Sequence, residues 1–272
     1  MSKKHKPMLA CSVTPTQLSE LKYPVLVQPK YDGIRCTVTC EGALTRTGKP
    51  IPNKVLAERL SRCCCVGWDL ELVAGKHDKD VFNRTQSIVM SHKHADTDTV
   101  NFLVFDLVSN ETAQNRWQSL ADGDIKCKRA SVVPSVTCEN SEQVEHWLAR
   151  WCGEGYEGLM IRGVNSLYKA GRGTLKDLSL IKLKPREDAE AVVEGITQLF
   201  SKDGDPRPQV GALVCRMPDG KTFELGTGFT IAKREAWFKN PPIGYTVTYY
   251  YQGLGTNGRP RFPAFKSFRE PE

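Results

Sequence analysis

The feature that most restricts how this chain can fold is a change of character about two thirds of the way along it. Up to Pro185, short apolar or alternating runs are interleaved with segments of helical period. Beyond Pro185-Arg186-Glu187-Asp188, strand-sized segments follow one another with a single helix candidate. In the first part, residues 25 to 46 alternate with period two, as in Arg35-Cys36-Thr37-Val38-Thr39-Cys40, and Glu41-Gly42 is a hairpin turn signal. Asn53 to Leu60 has an asparagine cap followed by apolar residues at helical spacing. Ser141 to Leu148 opens with a serine cap and continues as an amphipathic helix. Trp68 to Val73, Asn101 to Val108, Gly158 to Arg162 and Leu180 to Lys184 are short apolar runs that predict strands.

The expected fold class is therefore α+β, with largely antiparallel sheets in the first part. In the second, strands over Glu190 to Ile196, Ala212 to Arg216, Thr222 to Leu225 and Thr246 to Tyr251 accompany one helix over Thr230 to Lys239. That inventory predicts a small β-barrel of the oligonucleotide-binding (OB) type. The predicted domains are residues 1–187 and 188–272.

Composition narrows the setting. Apolar residues are 40% and charged residues 25% of the chain, the balance of a globular protein. No stretch approaches the ~20 apolar residues of a membrane span. The basic start Met1-Ser2-Lys3-Lys4-His5-Lys6 has no apolar run behind it, and Leu9-Ala10-Cys11 does not make a lipidation site, so the expected location is cytoplasmic. A net charge of +7 suits a polyanionic partner without requiring one. Ten cysteines contain no Cys-x-x-Cys pair, which argues against a zinc ribbon and for reduced, mostly buried thiols; Cys63-Cys64-Cys65 is expected to end a helix and enter a strand. His92-x-His94 lacks a third ligand nearby and is better explained as a solvated loop.

Chemistry concentrates in a few strings. Lys30-Tyr31-Asp32-Gly33-Ile34-Arg35 follows the apolar strand Val25-Leu26-Val27. Alone, such a string is ordinary on a solvated surface. It is followed in order by Asp69-Leu70-Glu71-Leu72, Phe105-Asp106, Glu157-Gly158-Leu159-Met160-Ile161-Arg162 and Lys182-Leu183-Lys184. A lysine amine ordinarily has a pKa of ~10.4, so it becomes a useful nucleophile only after desolvation or beside other cations. Lys182 and Lys184 share one face of a strand and could supply that charge, or neutralise phosphate oxygens during in-line attack. Asp32, Glu71 and Glu157 are available to hold a divalent metal, to orient a sugar or to take a proton; oxygen ligands suit Mg²⁺.

This ordered set resembles the motifs shared by ATP-dependent DNA ligases, RNA ligases and messenger-RNA capping enzymes, and the resemblance runs from Gln28 to Arg269. It implies that residues 1–187 form a nucleotidyltransferase (adenylation) domain. It implies that Lys30 becomes adenylylated, that Arg35 and Glu71 contact the ribose, and that Phe105 stacks on adenine, a contact worth ~1–3 kcal/mol. From Val104-Phe105-Asp106-Leu107 alone, a plain core aromatic is the more common outcome. Gln28 would sense the adenine edge, Lys182 and Lys184 would bind the α-phosphate, and Asp32, Glu71 and Glu157 would serve Mg²⁺ or Mn²⁺. Thr45-Arg46-Thr47-Gly48-Lys49-Pro50-Ile51 resembles the segment that receives a 5′ phosphate, with Arg46 and Lys49 as DNA contacts; a solvated hairpin is the competing reading. Tyr168-Lys169-Ala170-Gly171-Arg172-Gly173 fits a loop along a phosphate backbone, through Arg172, or a simple surface turn.

The C-terminal strings choose among the relatives. Leu225 to Thr230, Asn240-Pro241-Pro242-Ile243-Gly244, Tyr249-Tyr250-Tyr251-Gln252 and Arg261-Phe262-Pro263-Ala264-Phe265 to Arg269 resemble the small-barrel domain of DNA ligases. Those enzymes often finish Arg-x-Asp-Lys, whereas here Arg269-Glu270-Pro271-Glu272 follows; Arg269 is retained as a DNA-binding candidate. The resemblance implies a minimal, virus- or phage-like DNA ligase acting as a monomer on nicked duplex DNA with ATP and a divalent metal, in the host cytoplasm if phage-encoded. The alternatives are an RNA ligase, a capping-type nucleotidyltransferase, or a non-catalytic nucleic-acid-binding protein.

Overall fold

The computed structural model describes residues 6–63, 66–78, 80–123, 125–185, 187–251, 253–255 and 257–269. Parts of some strings above, Met1 to His5, Cys64-Cys65, Arg186, Gln252 and Glu270 to Glu272, lie outside the described residues. The chain divides into two compact units, Met1–Pro185 and Arg186–Glu272.

The first unit holds two five-stranded sheets, each with its own apolar core. One has the order Cys11–Val13, Ile181–Leu183, Leu159–Gly163, Val25–Pro29, Val136–Cys138. The other runs Gly42–Thr45, Ile34–Thr39, Trp68–Ala74, Val100–Leu107, Ala130–Val132. Pairing is mostly antiparallel, with parallel neighbours at Cys11–Val13 beside Ile181–Leu183 and at Val100–Leu107 beside Ala130–Val132. Strand Val100–Leu107 alternates buried and half-exposed residues along its whole length, so Val104 and Asp106 face inward while Phe105 does not.

The helices follow from local chemistry. Asn53 accepts from the Leu56 amide at 3.0 Å and starts Lys54–Cys63, as its sequence indicates; its own amide also bonds Ile88 O and Thr97 Oγ1. Helix Ser141–Gly153 is capped one residue earlier than expected: Asn140, not Ser141, accepts from the Gln143 amide. Asn140 is extended, so its carboxamide reaches the first turn, which puts Ser141 inside the helix. Helices Val81–Met90 and Ala113–Ala121 were not anticipated. Their apolar residues are diluted by polar and β-branched ones, which blurs the period.

The second unit is one antiparallel sheet ordered Thr222–Leu225, Pro206–Arg216, Glu187–Phe200, Thr246–Tyr251, Ala264–Phe268, with helix Ile231–Lys239 capped by Thr230. Four of its five strands coincide with expected ones, and Ala264–Phe268 is additional. Among the described residues the ladder is open, with Thr222–Leu225 and Ala264–Phe268 as its edges. The sheet curls: the Phe265 amide donates to Thr227 O at 2.9 Å and Thr227 Oγ1 to Pro263 O at 2.7 Å, joining the segment after one edge strand to the other edge. Gly228, with φ +88°, sits where a Cβ would lie 2.7 Å from the Phe265 backbone, so this approach requires glycine.

Candidate active site

The site is built where the two sheets of the first unit meet. Strand Val25–Pro29 belongs to one sheet and Ile34–Thr39 to the other, so Lys30 to Gly33 is the crossing between them. The Lys30 amide donates to Gly158 O at 2.9 Å and the Glu157 amide to Lys30 O at 3.1 Å, fixing the crossing against the start of strand Leu159–Gly163. Gly158 has φ +149°, and a Cβ there would stand 2.2 Å from Leu183 O. That glycine lets the Lys182–Lys184 segment come alongside Glu157.

A cleft of about 770 Å³ results. Gln28, Lys30, Asp32, Met160, Glu157, Lys182 and Lys184 line it from one side, and Arg35, Glu71 and Phe105 from the other. Arg46, Lys49 and Arg172 also border it. Arg269 belongs to the second unit, where it lies 3.3 Å from Glu190 Oε2.

Glu157 is the electrostatic centre. Lys30 Nζ donates to its Oε2 and Lys184 Nζ to its Oε1. Burial would raise the Glu157 carboxyl, but Lys30 and Lys184 hold it below the usual glutamate range. Lys182 is lowered, first by burial and then by the charges of Lys184 and Lys30. Asp32 is raised by burial and by the Glu157 charge. Glu71 is half-buried and pushed up to about 7 by burial, against the pull of Lys30 and Arg35. Asp32, Glu71 and Glu157 do not form a three-ligand cage: no group of three or more metal-binding side chains occurs among the described residues, and both oxygens of Glu157 carry lysines.

Two expected nucleotide contacts are already occupied by protein. Arg35 forks onto Asp69, Nε to Oδ1 at 2.9 Å and Nη2 to Oδ2 at 2.5 Å, and donates to Met8 O; Tyr168 Oη also donates to Asp69 Oδ2 at 2.8 Å. The Gln28 amide lies between Phe105 O and the Arg162 guanidinium. Asp69, Tyr168 and the buried set Asp106, Arg116 and Arg162 went unassigned from sequence. For Asp69, Asp106 and Arg162 the available signal was a charged residue inside an otherwise apolar run, which marks a buried pair; Arg116 and Tyr168 carried none.

Residues 7–184 match the family model described as the ATP dependent DNA ligase domain. The chain belongs to the ATP-dependent DNA ligase family. Residues 203–269 match the DNA ligase OB-like domain, so this family member joins a nucleotidyltransferase domain to an OB-like one. It is 29% identical over 134 residues to a DNA ligase of Haemophilus influenzae, and 30% identical over 195 residues to one from African swine fever virus. These alignments take in 49% and 65% of this chain but 46% and 45% of those proteins, so the chain spans about half the length of the curated relatives it matches. A Lig E DNA ligase structure, titled as DNA binding with a minimal scaffold, superposes with TM-score 0.70 at 28% identity, covering 97% of this chain and 99% of that one. The Chlorella virus DNA ligase-adenylate superposes with TM-score 0.58, also at 28% identity, covering 99% and 100%. Among the described residues no helix is long and apolar enough to cross a membrane.

Proposed function

We propose that this ligase-family chain seals nicks in duplex DNA with ATP, carrying AMP on Lys30. The observation that supports the reading most strongly is the sharing of one carboxylate, Glu157, by Lys30 and Lys184 in a cleft that Phe105 and Lys182 also line. In the first step the Lys30 ammonium loses its proton to solvent while Glu157, the carboxylate it already touches, orients the nitrogen. The freed amine attacks the α-phosphorus; an N–P bond forms and the bond to the departing pyrophosphate breaks. Lys182 and Lys184 neutralise the charge gathering on the phosphate oxygens. Phe105 stacks on the base and Glu71 faces the sugar, while Arg35 supports that wall through Asp69.

In the second step an oxygen of the 5′ phosphate at a nick attacks the same phosphorus, and Lys30 leaves and recovers its proton. In the third, the 3′ hydroxyl attacks the activated 5′ phosphate, sealing the strand and releasing AMP. Arg46 and Lys49 receive the 5′ phosphate and Arg172 the flanking backbone; Arg269 and the OB-like domain supply further DNA contacts. The donor set fits Mg²⁺: Asp32 would be the protein carboxylate that holds it, and the ion would neutralise phosphate charge.

Incubation with labelled ATP or GTP tests the reading. Covalent label from ATP is expected; label from GTP alone would overturn it in favour of a capping-type enzyme. Lys30→Ala should abolish sealing and leave nicked-DNA binding largely intact, and unchanged sealing by that variant would remove Lys30 as the nucleophile.

A further inference from the structure

Phe105 is the residue skipped in the pairing of its strand. Val104 stands opposite Leu70 and Asp106 opposite Asp69, with a register shift between them. A bulge of this kind re-aims a side chain and leaves the local backbone without its regular partner. Here the Phe105 carbonyl accepts from Gln28 Nε2 at 3.1 Å, across from the other sheet. Gln28 Oε1 in turn accepts from Arg162 Nη1 at 2.5 Å. Gln28 is opposite Met160, which makes Arg162 its diagonal neighbour on the same face. Arg162 Nε lies 3.2 Å from Asp106 Oδ2 without hydrogen-bond alignment, and its Nη2 has no hydrogen-bond partner among the described residues. Arg116 closes the set, donating Nε to Asp106 Oδ1 at 2.6 Å. Gln28, Asp106, Arg116 and Arg162 are 2%, 3%, 1% and 3% exposed. The Arg162 guanidinium also stands 5.7 Å from the centroid of the Phe105 ring and borders the cleft.

A glutamine amide can be turned either way, but a buried cation removes the choice. Its oxygen must face the guanidinium, and its NH₂ is thereby aimed at the Phe105 carbonyl; the reverse orientation would set N–H against N–H and oxygen against oxygen. We infer that Arg162 is the positioning residue of the nucleobase wall: it fixes the Gln28 amide and, through it, the bulge that carries the Phe105 ring. This rests on the reading of the cleft as the ATP site. Arginine suits the role because one planar fork spans Gln28 and Asp106, which the point charge of a lysine does not. Replacing it with a neutral residue still leaves Asp106 paired with Arg116, so no buried carboxylate is orphaned.

The test compares wild type, Arg162→Met, Arg162→Lys and Gln28→Met. Labelling of Lys30 is followed against ATP and GTP concentration, and sealing is measured on nicked DNA that already carries the 5′ adenylate, a step that uses no ATP. Arg162→Met is expected to raise the ATP concentration for half-maximal labelling by about tenfold or more and to narrow the ATP-over-GTP preference. Its labelling rate at saturating ATP and its sealing of pre-adenylylated DNA should stay within about twofold of wild type. Arg162→Lys should recover part of the loss. Gln28→Met should reproduce it, with the double variant no worse than either single one. Unchanged half-saturation and selectivity in folded Arg162→Met would overturn the inference; should that variant fail to fold, unchanged values in Gln28→Met would do so. Wild type that takes no label from ATP would sink the reading of the site, whereas labelled wild type with unaffected variants sinks only the role of Arg162.

Discussion

Lys30 and Glu157 are joined twice, side chain to side chain through Nζ and Oε2 and backbone to backbone through the Glu157 amide and the Lys30 carbonyl at 3.1 Å. The double link holds the amine in place, and Lys184 on the other oxygen helps keep Glu157 ionised. Glu157→Gln keeps the shape but cannot pair with two cations. Formation of the lysyl adenylate should slow by about a hundredfold or more. The check is the single-turnover rate of labelling with ATP, where an unchanged rate would dismiss Glu157 as the group that orients Lys30.

Gly158 makes that geometry possible. Alanine there would collide with Leu183 O and strain a left-handed backbone, at a cost of about 3 kcal/mol. Thermal unfolding of Gly158→Ala should begin lower by about 6–12 °C, and adenylylation should fall with it because Lys182 and Lys184 are displaced. A melting curve superimposable on that of wild type would refute the close packing.

Glu71 carries a pH signature. Its folded-state pKa, about 7, stands above the ordinary 4.5, so the native protein keeps a proton that the unfolded chain has lost between those values. The stability Glu71 contributes is thus fully present below about pH 4.5 and is lost as pH rises through about 7. Denaturant unfolding of wild type and Glu71→Gln across pH 4 to 8 should show wild type losing ground to the variant over that window. A difference that is flat with pH contradicts the burial of this carboxyl.

Arg46 is exposed at the cleft border and acts after the first step in this scheme. Arg46→Ala should therefore leave lysyl adenylate formation unchanged while slowing transfer of AMP to a nicked duplex by roughly tenfold to a hundredfold. The measurement starts from isolated adenylylated protein mixed with DNA. Slower labelling by ATP instead would assign Arg46 to the nucleotide.

Sequence was most informative where one residue or one period decides the outcome. Strand Val100–Leu107 announces itself as part of a short apolar run, and Lys30, Glu71, Glu157 and Lys182 stand out as charged residues in or beside apolar strands, while Phe105 is marked only by the order of the motifs around it. What stayed hidden is pairwise. Nothing in Ala113–Ala121 says that Arg116 reaches Asp106, and nothing near Arg35 says that Asp69 and Tyr168 already hold it; such partners are fixed by tertiary packing across long sequence separations. Asn140 displaced Ser141 as a cap because two adjacent residues could each do the job and only backbone geometry separates them. The register skip that frees Phe105 is likewise a property of two strands together.

The most direct test of a lysine that carries AMP is the intact mass of the protein after mixing with ATP and Mg²⁺, with peptide mapping of any adduct. Wild type should gain one adenylate, located on Lys30 and lost again on adding nicked DNA, and Lys30→Arg should gain none because its guanidinium stays protonated. An adduct on another residue, an equal adduct on Lys30→Arg, or an unmodified wild-type chain would contradict the account.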